Sequence, residues 1–96
     1  MIKHVVLMKF KAEASDAKKQ AVADGLRGLP AIIPEIKQYE VGFDIVHSER
    51  SCDLALVSAF DDMAAMGRYQ KHPRHQAVLT LIKEICEQLY AVDFKV

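Results

Sequence analysis

Apolar and polar residues alternate with period two from Ile2 to Phe10, which predicts a strand. Ile2, His4, Val6, Met8 and Phe10 share one face; Lys3, Val5, Leu7 and Lys9 share the other. A sheet with one wet face would carry polar residues where Val5 and Leu7 stand, so both faces of this strand are expected to be covered. The period then changes. Ser15 reads as an N-cap with Asp16 in the first turn, and a helix runs to about Leu29 with Val22, Leu26 and Leu29 as its inner stripe. Gly28, Pro30 and Pro34 end it. Residues 36–43 form a second strand, with Lys37, Tyr39, Val41 and Phe43 on one face. A polar connection over 44–52 leads to a third strand over 53–60, whose only interior polar residue is Ser58. That strand must be central.

Asp61 or Asp62 caps a short helix over 63–70. His72-Pro73 breaks it, and Pro73 suits the first position of a new helix. Val78, Ile82, Ile85 and Leu89 recur at helical spacing from there, with Leu79 and Cys86 beside them. Residues 91–96 form the last strand, with Val92, Phe94 and Val96 on one face. The order is β-α-β-β-α-β with the second helix split. It predicts an α+β, ferredoxin-like fold: one domain over residues 1–96, a four-stranded antiparallel sheet, and helices on one face. The uncovered face would carry Val5, Leu7 and residues of the third strand. An apolar patch of that kind marks an interface. Two such sheets packed face to face make a dimeric α+β barrel, so the expected partner is a second copy of the chain.

Composition narrows the function more than the fold. With 96 residues there is room for one core, and 51% hydrophobic against 27% charged residues excludes a disordered chain. Thirteen basic residues cancel thirteen acidic ones with no block of either sign, so neither nucleic acid nor an anionic membrane is expected as a partner. No apolar run approaches the roughly 20 residues of a membrane span, and the N-terminus reads straight into a strand rather than a leader, which predicts a cytoplasmic protein. Cys52 and Cys86 are expected to be free thiols.

Chemistry concentrates at Tyr69-Gln70-Lys71-His72-Pro73-Arg74-His75, a phenol and two imidazoles at a break between helices. His4 points toward the helices if its face is the covered one, and meets Tyr69 or His75 there. One reading is acid–base catalysis beside a carbonyl, with an imidazole moving the proton and a phenol steadying the oxyanion. A second is a metal on His72, His75 and His4; no Cys, Asp or Glu stands nearby at ligand spacing, so no metal is expected. A third is structural, with the same groups capping helices, and on residue types alone it outweighs the first. His47 belongs to a polar, solvated loop. Met63 and Met66 are expected in the core. Asp93 either faces solvent or an interface or orients an imidazole; strand alternation favours solvent or an interface.

The opening Ile2-Lys3-His4-Val5-Val6-Leu7-Met8-Lys9-Phe10-Lys11, the Ile33-Pro34-Glu35-Ile36 turn, Gly42, Phe60-Asp61, Tyr69 with His72-Pro73-Arg74-His75, and Val92-Asp93-Phe94 together resemble the stress-responsive A/B barrel (Dabb) family over nearly the whole chain. The resemblance implies a dimeric ferredoxin-like barrel. A plant cyclase of that family closes a polyketide ring by aldol condensation. Carried over, its catalytic tyrosine is Tyr69 and its catalytic histidine is His75. His4, His72 and Asp93 become substrate-binding residues, joined by Val6 and Met8 on the His4 face. No cofactor is implied. Some plant members hold a divalent ion on main-chain carbonyls after the first helix, here residues 29–35, and such ligands leave no mark in a sequence. The chain departs from the cyclase at residues 21–26, where small residues replace bulky pocket aromatics, so the polyketide substrate does not carry over. Three functions stand: a small-molecule binder or a cyclase-, lyase- or isomerase-type enzyme, a non-catalytic stress-responsive dimer, and a cofactor-free oxygenase of the wider barrel group.

Overall fold

The computed structural model describes residues 1–96. Strand β1 (Ile2–Phe10) is followed by helix α1 (Asp16–Arg27), a 3₁₀ turn (Leu29–Ala31), strands β2 (Gln38–Phe43) and β3 (Leu54–Phe60), helices α2 (Met63–Lys71) and α3 (Pro73–Ile85), and strand β4 (Cys86–Lys95). The antiparallel sheet has the order β2-β3-β1-β4, so the two most apolar strands are the central ones. No helix is long and apolar enough to cross a membrane.

Local chemistry sets the helix starts. The Ser15 hydroxyl accepts from the Lys18 N–H at 3.2 Å, and the Asp62 carboxylate accepts from the Ala65 N–H at 2.8 Å. Pro73 occupies the first turn of α3, where its missing N–H costs nothing. Alternation along β1 sends Ile2, His4, Met8 and Phe10 into the core, where they meet Val22 and Leu26 of α1, Met66 and Tyr69 of α2, and Ile82 and Ile85 of α3. Met66 is buried as expected, but Met63 is 55% exposed: as the first residue of α2 it stands clear of the core. Cys52 and Cys86 are free, and burial pushes the Cys86 thiol up to about 11, which keeps it protonated and unreactive near neutral pH.

The largest departure from the predicted bounds lies where α3 meets β4. The apolar stripe extends a helix to Leu89, whereas α3 stops at Ile85 and β4 begins at once with Cys86. Leu89 fits both periods. It is four residues past Ile85, and it also pairs with Met8 on the covered side of the sheet. Pairing with the whole length of β1 outweighs one more helical turn, and a register shift between Lys9 and Phe10 absorbs the abrupt change of direction.

The other face of the sheet is apolar and uncovered in the single chain. Leu7 is 39% exposed, Tyr90 49%, Val92 56% and Phe94 44%, and they stand side by side as a patch rather than scattered. Val5 pairs with Val57 and Val92, and Leu7 with Ala55 and Tyr90, so these side chains form continuous rows across three strands.

Candidate functional site

Register builds the site floor. Tyr39 of β2 pairs with Ser58 of β3, Ser58 with His4 of β1, and His4 with Asp93 of β4. One row of four polar side chains therefore crosses the covered face, between rows dominated by apolar residues such as Val41, Leu56 and Val6. The Ser58 hydroxyl donates to the His4 carbonyl at 2.9 Å. The His4 Nδ1 bonds to an Asp93 carboxylate oxygen. A carboxylate accepts there, so Nδ1 carries a proton and Nε2 is the ring nitrogen left without a protein partner. Asp93 thus orients an imidazole, the alternative that strand alternation disfavoured; pairing with His4 puts it on the covered face at the sheet edge.

The helix break supplies the roof. Tyr69 lies in the last turn of α2 and His75 in the first turn of α3, six positions apart in sequence, yet their ring centroids are 4.4 Å apart because the chain bends at His72-Pro73. Tyr69 is fully buried against Phe60, with centroids 4.8 Å apart. The His75 Nδ1 lies 3.1 Å from the Gln70 carbonyl, which can only accept, so this ring also carries its proton on Nδ1 and keeps a lone pair on Nε2. Burial holds the His75 pKa below the ordinary 6.5, opposed in part by the bond to Gln70, so the ring is neutral and basic at neutral pH. Burial pushes the Tyr69 phenol up to about 12, which keeps it a proton donor.

Between floor and roof lies a cavity of about 260 Å³, lined by 13 residues of which 10 are hydrophobic. His4, Val6, Met8, Tyr69 and His75 all contribute to its wall, together with Leu26, Leu56, Leu79, Ile82 and Leu89. Tyr90 and Ala91 stand both in this wall and against the adjoining patch of the open sheet face. Its polar equipment is the Tyr69 and Tyr90 phenols, two imidazoles and Gln70 in an otherwise apolar chamber, the composition of a site for a small, mostly apolar molecule with a polar group.

Two residues expected in the pocket stand outside it. His72 caps α3, its Nδ1 accepting from the Arg74 N–H at 3.1 Å. That bond turns the ring to the helix end, away from the cavity wall. Asp93 touches the cavity only through His4. Tyr39 is the residue that sequence reasoning missed: its hydroxyl lies 2.8 Å from that of Tyr69. Only the register, which the 44–53 loop conceals, puts it in line with His4. No group of three or more His, Cys, Asp or Glu side chains is gathered to hold a metal. In the turn after α1 the Leu29 carbonyl accepts from Ile32 and Ile33, and the Ile33 carbonyl from Ile36.

Fold and cavity define a class, the ferredoxin-like α+β proteins with a His/Tyr chamber between sheet and helices. The chain belongs to the Stress responsive A/B Barrel Domain family, whose model matches residues 2–96. It is 31% identical over 93 residues to an uncharacterized protein of Streptomyces coelicolor, covering 95% of this chain and 96% of that one. It is 25% identical over 95 residues to olivetolic acid cyclase of Cannabis sativa, covering 97% and 94%. A dimeric ferredoxin-like protein of unknown function from Thermobifida fusca superposes with a TM-score of 0.90 at 32% identity, covering 99% of this chain and 90% of that one.

Proposed function

We propose that the chain is a homodimer that binds a small, largely apolar carbonyl compound and moves a proton next to the carbonyl, chemistry of the cyclase or lyase type. The observation that carries this is the convergence of Tyr69, His75 and His4 on one apolar cavity. The Tyr69 hydroxyl donates to the carbonyl oxygen. The His75 Nε2 takes a proton from the adjacent carbon, the electron pair moves onto oxygen as an enolate, and Tyr69 stabilises that charge. The imidazolium then returns the proton to the enolate carbon or to the product of its addition. No electron is gained or lost, so no oxidant is needed. The full-length similarity to olivetolic acid cyclase, by its name an enzyme that closes a ring, supports a cyclase-type reading here. The uncovered apolar sheet face, and the dimeric state of the Thermobifida fusca relative, support the homodimer.

Acetophenone in D2O tests the reading. The protein is expected to accelerate deuterium uptake at the methyl group, followed by NMR. His75→Ala should return the rate to that of buffer, and Tyr69→Phe should lower it by about 10²-fold. Exchange at the buffer rate with all three proteins, together with unshifted Tyr69 and His75 resonances, would overturn it.

A further inference from the structure

The Tyr69 hydroxyl faces two demands. On the cavity side stand two imidazoles whose protons are committed outward, His4 to Asp93 and His75 to the Gln70 carbonyl. The cavity therefore presents the His75 Nε2 lone pair as an acceptor and, beside it, the Tyr69 hydroxyl as a phenolic donor. On the other side Tyr69 meets the Tyr39 hydroxyl at 2.8 Å, with the rings edge-on at 6.1 Å. A hydroxyl has one proton. If Tyr69 spends it on Tyr39, the phenol beside His75 has none left to offer an oxygen ligand. Tyr39 is half-buried on the edge strand and contributes nothing to the cavity wall, so its hydroxyl has one recorded partner, Tyr69.

We propose that Tyr39 is a positioning residue of the site, donating its hydroxyl proton to the Tyr69 oxygen so that the Tyr69 proton is free to point into the cavity. This deepens the function proposed above and rests on it for its use, though not for its test. The polarity Tyr39 to Tyr69 to ligand gives the inner phenol an outer donor. As Tyr69 yields density to a ligand oxygen, the Tyr39 proton compensates the charge that develops, without a covalent change at either ring. Burial raises both phenols, Tyr69 to about 12 and Tyr39 well above the ordinary phenol range. The arrangement depends on the register that places Tyr39 opposite Ser58, on the covered face of the sheet.

The test is the ionisation of the two phenols, read without any ligand. Protein carrying 3,5-difluorotyrosine brings tyrosine titration toward neutral pH, where ¹⁹F NMR follows each ring; Tyr90→Phe identifies the third signal. The titratable groups facing Tyr69 are Tyr39 and His75, with His4 and its partner Asp93 beyond, and the His75 imidazole, held below the ordinary 6.5, is neutral above pH 8. Tyr69, though the more buried, is expected to ionise before Tyr39. Tyr39→Phe, which keeps the ring, should raise the Tyr69 midpoint by about one pH unit, a tenfold loss of phenolate at fixed pH. Tyr39 ionising first, or a Tyr69 midpoint unmoved in Tyr39→Phe, would overturn the assignment. Ketone exchange separates the two proposals. A shifted midpoint in a protein that exchanges no ketone upholds the phenol pair and sinks the carbonyl chemistry. An unmoved midpoint in a protein that does exchange ketone sinks the pair alone.

Discussion

His72 and His75 are three positions apart and do different work. His75 lines the cavity with a free Nε2, while His72 spends its Nδ1 on the Arg74 N–H. His72→Ala is expected to cost about 1 kcal/mol in denaturant unfolding, the usual worth of an N-cap, and to leave ketone exchange unchanged. His75→Ala should do the reverse, with exchange lost and the fold retained by circular dichroism. The pH dependence follows from the sign of the His75 shift. Its folded value lies below the ordinary 6.5, so in acid the unfolded chain takes up the proton more readily. The stability linked to this group is whole above pH 6.5 and is lost as the pH falls through its lower folded value. Unfolding free energy should drop between pH 7.5 and pH 5, and His75→Ala should flatten part of that drop. The same shift predicts that base-catalysed exchange persists somewhat below pH 6.5.

At the scale of elements, the site depends on how α2 and α3 begin and end. Asp62 fixes the first turn of α2 and thereby the depth at which Tyr69, seven residues on, enters the core. Asp62→Ala is expected to lose about 1 kcal/mol on unfolding and to weaken exchange slightly, since Tyr69 is held by Phe60 and Tyr39 as well. The caps Ser15 and Asp62 and the helix-starting Pro73 were legible in the sequence because their chemistry is local. The end of α3 was not. Leu89 satisfies a helical and a strand period equally, and the choice lies with β1, whose hydrogen bonds to residues 86–95 exist only in the folded sheet.

For the whole molecule the governing fact is a sheet with two apolar faces. The helices cover one, and the rows through Val5, Leu7, Val57, Tyr90 and Val92 lie open on the other. A small domain that exposes such a surface gains stability by covering it. Leu7→Glu places a carboxylate in the middle of that face, where burial against a second copy would cost several kcal/mol. Sedimentation velocity at micromolar concentration should show the wild-type chain as a dimer and Leu7→Glu as a monomer. A wild-type monomer would argue against the face-to-face assembly. Because Tyr90 and Ala91 adjoin both the open face and the cavity, the monomeric variant should also exchange ketone less well.

The sequence by itself determined the element order, the central position of β3, the two covered faces expected of β1, and the gathering of Tyr69 and His75 at one helix break, because alternation, capping and the His72-Pro73 break act over a few neighbouring residues. It also placed His4 on the covered face. Tertiary structure decided what those residues meet. Strand register carries Asp93 to His4 across 89 positions and Tyr39 to Tyr69 across 30. No local period encodes such separations, since register is selected by the summed fit of all the rows between sheet and helices. The row Tyr39–Ser58–His4–Asp93 is therefore a property of the assembled sheet, and it gives the candidate site its floor.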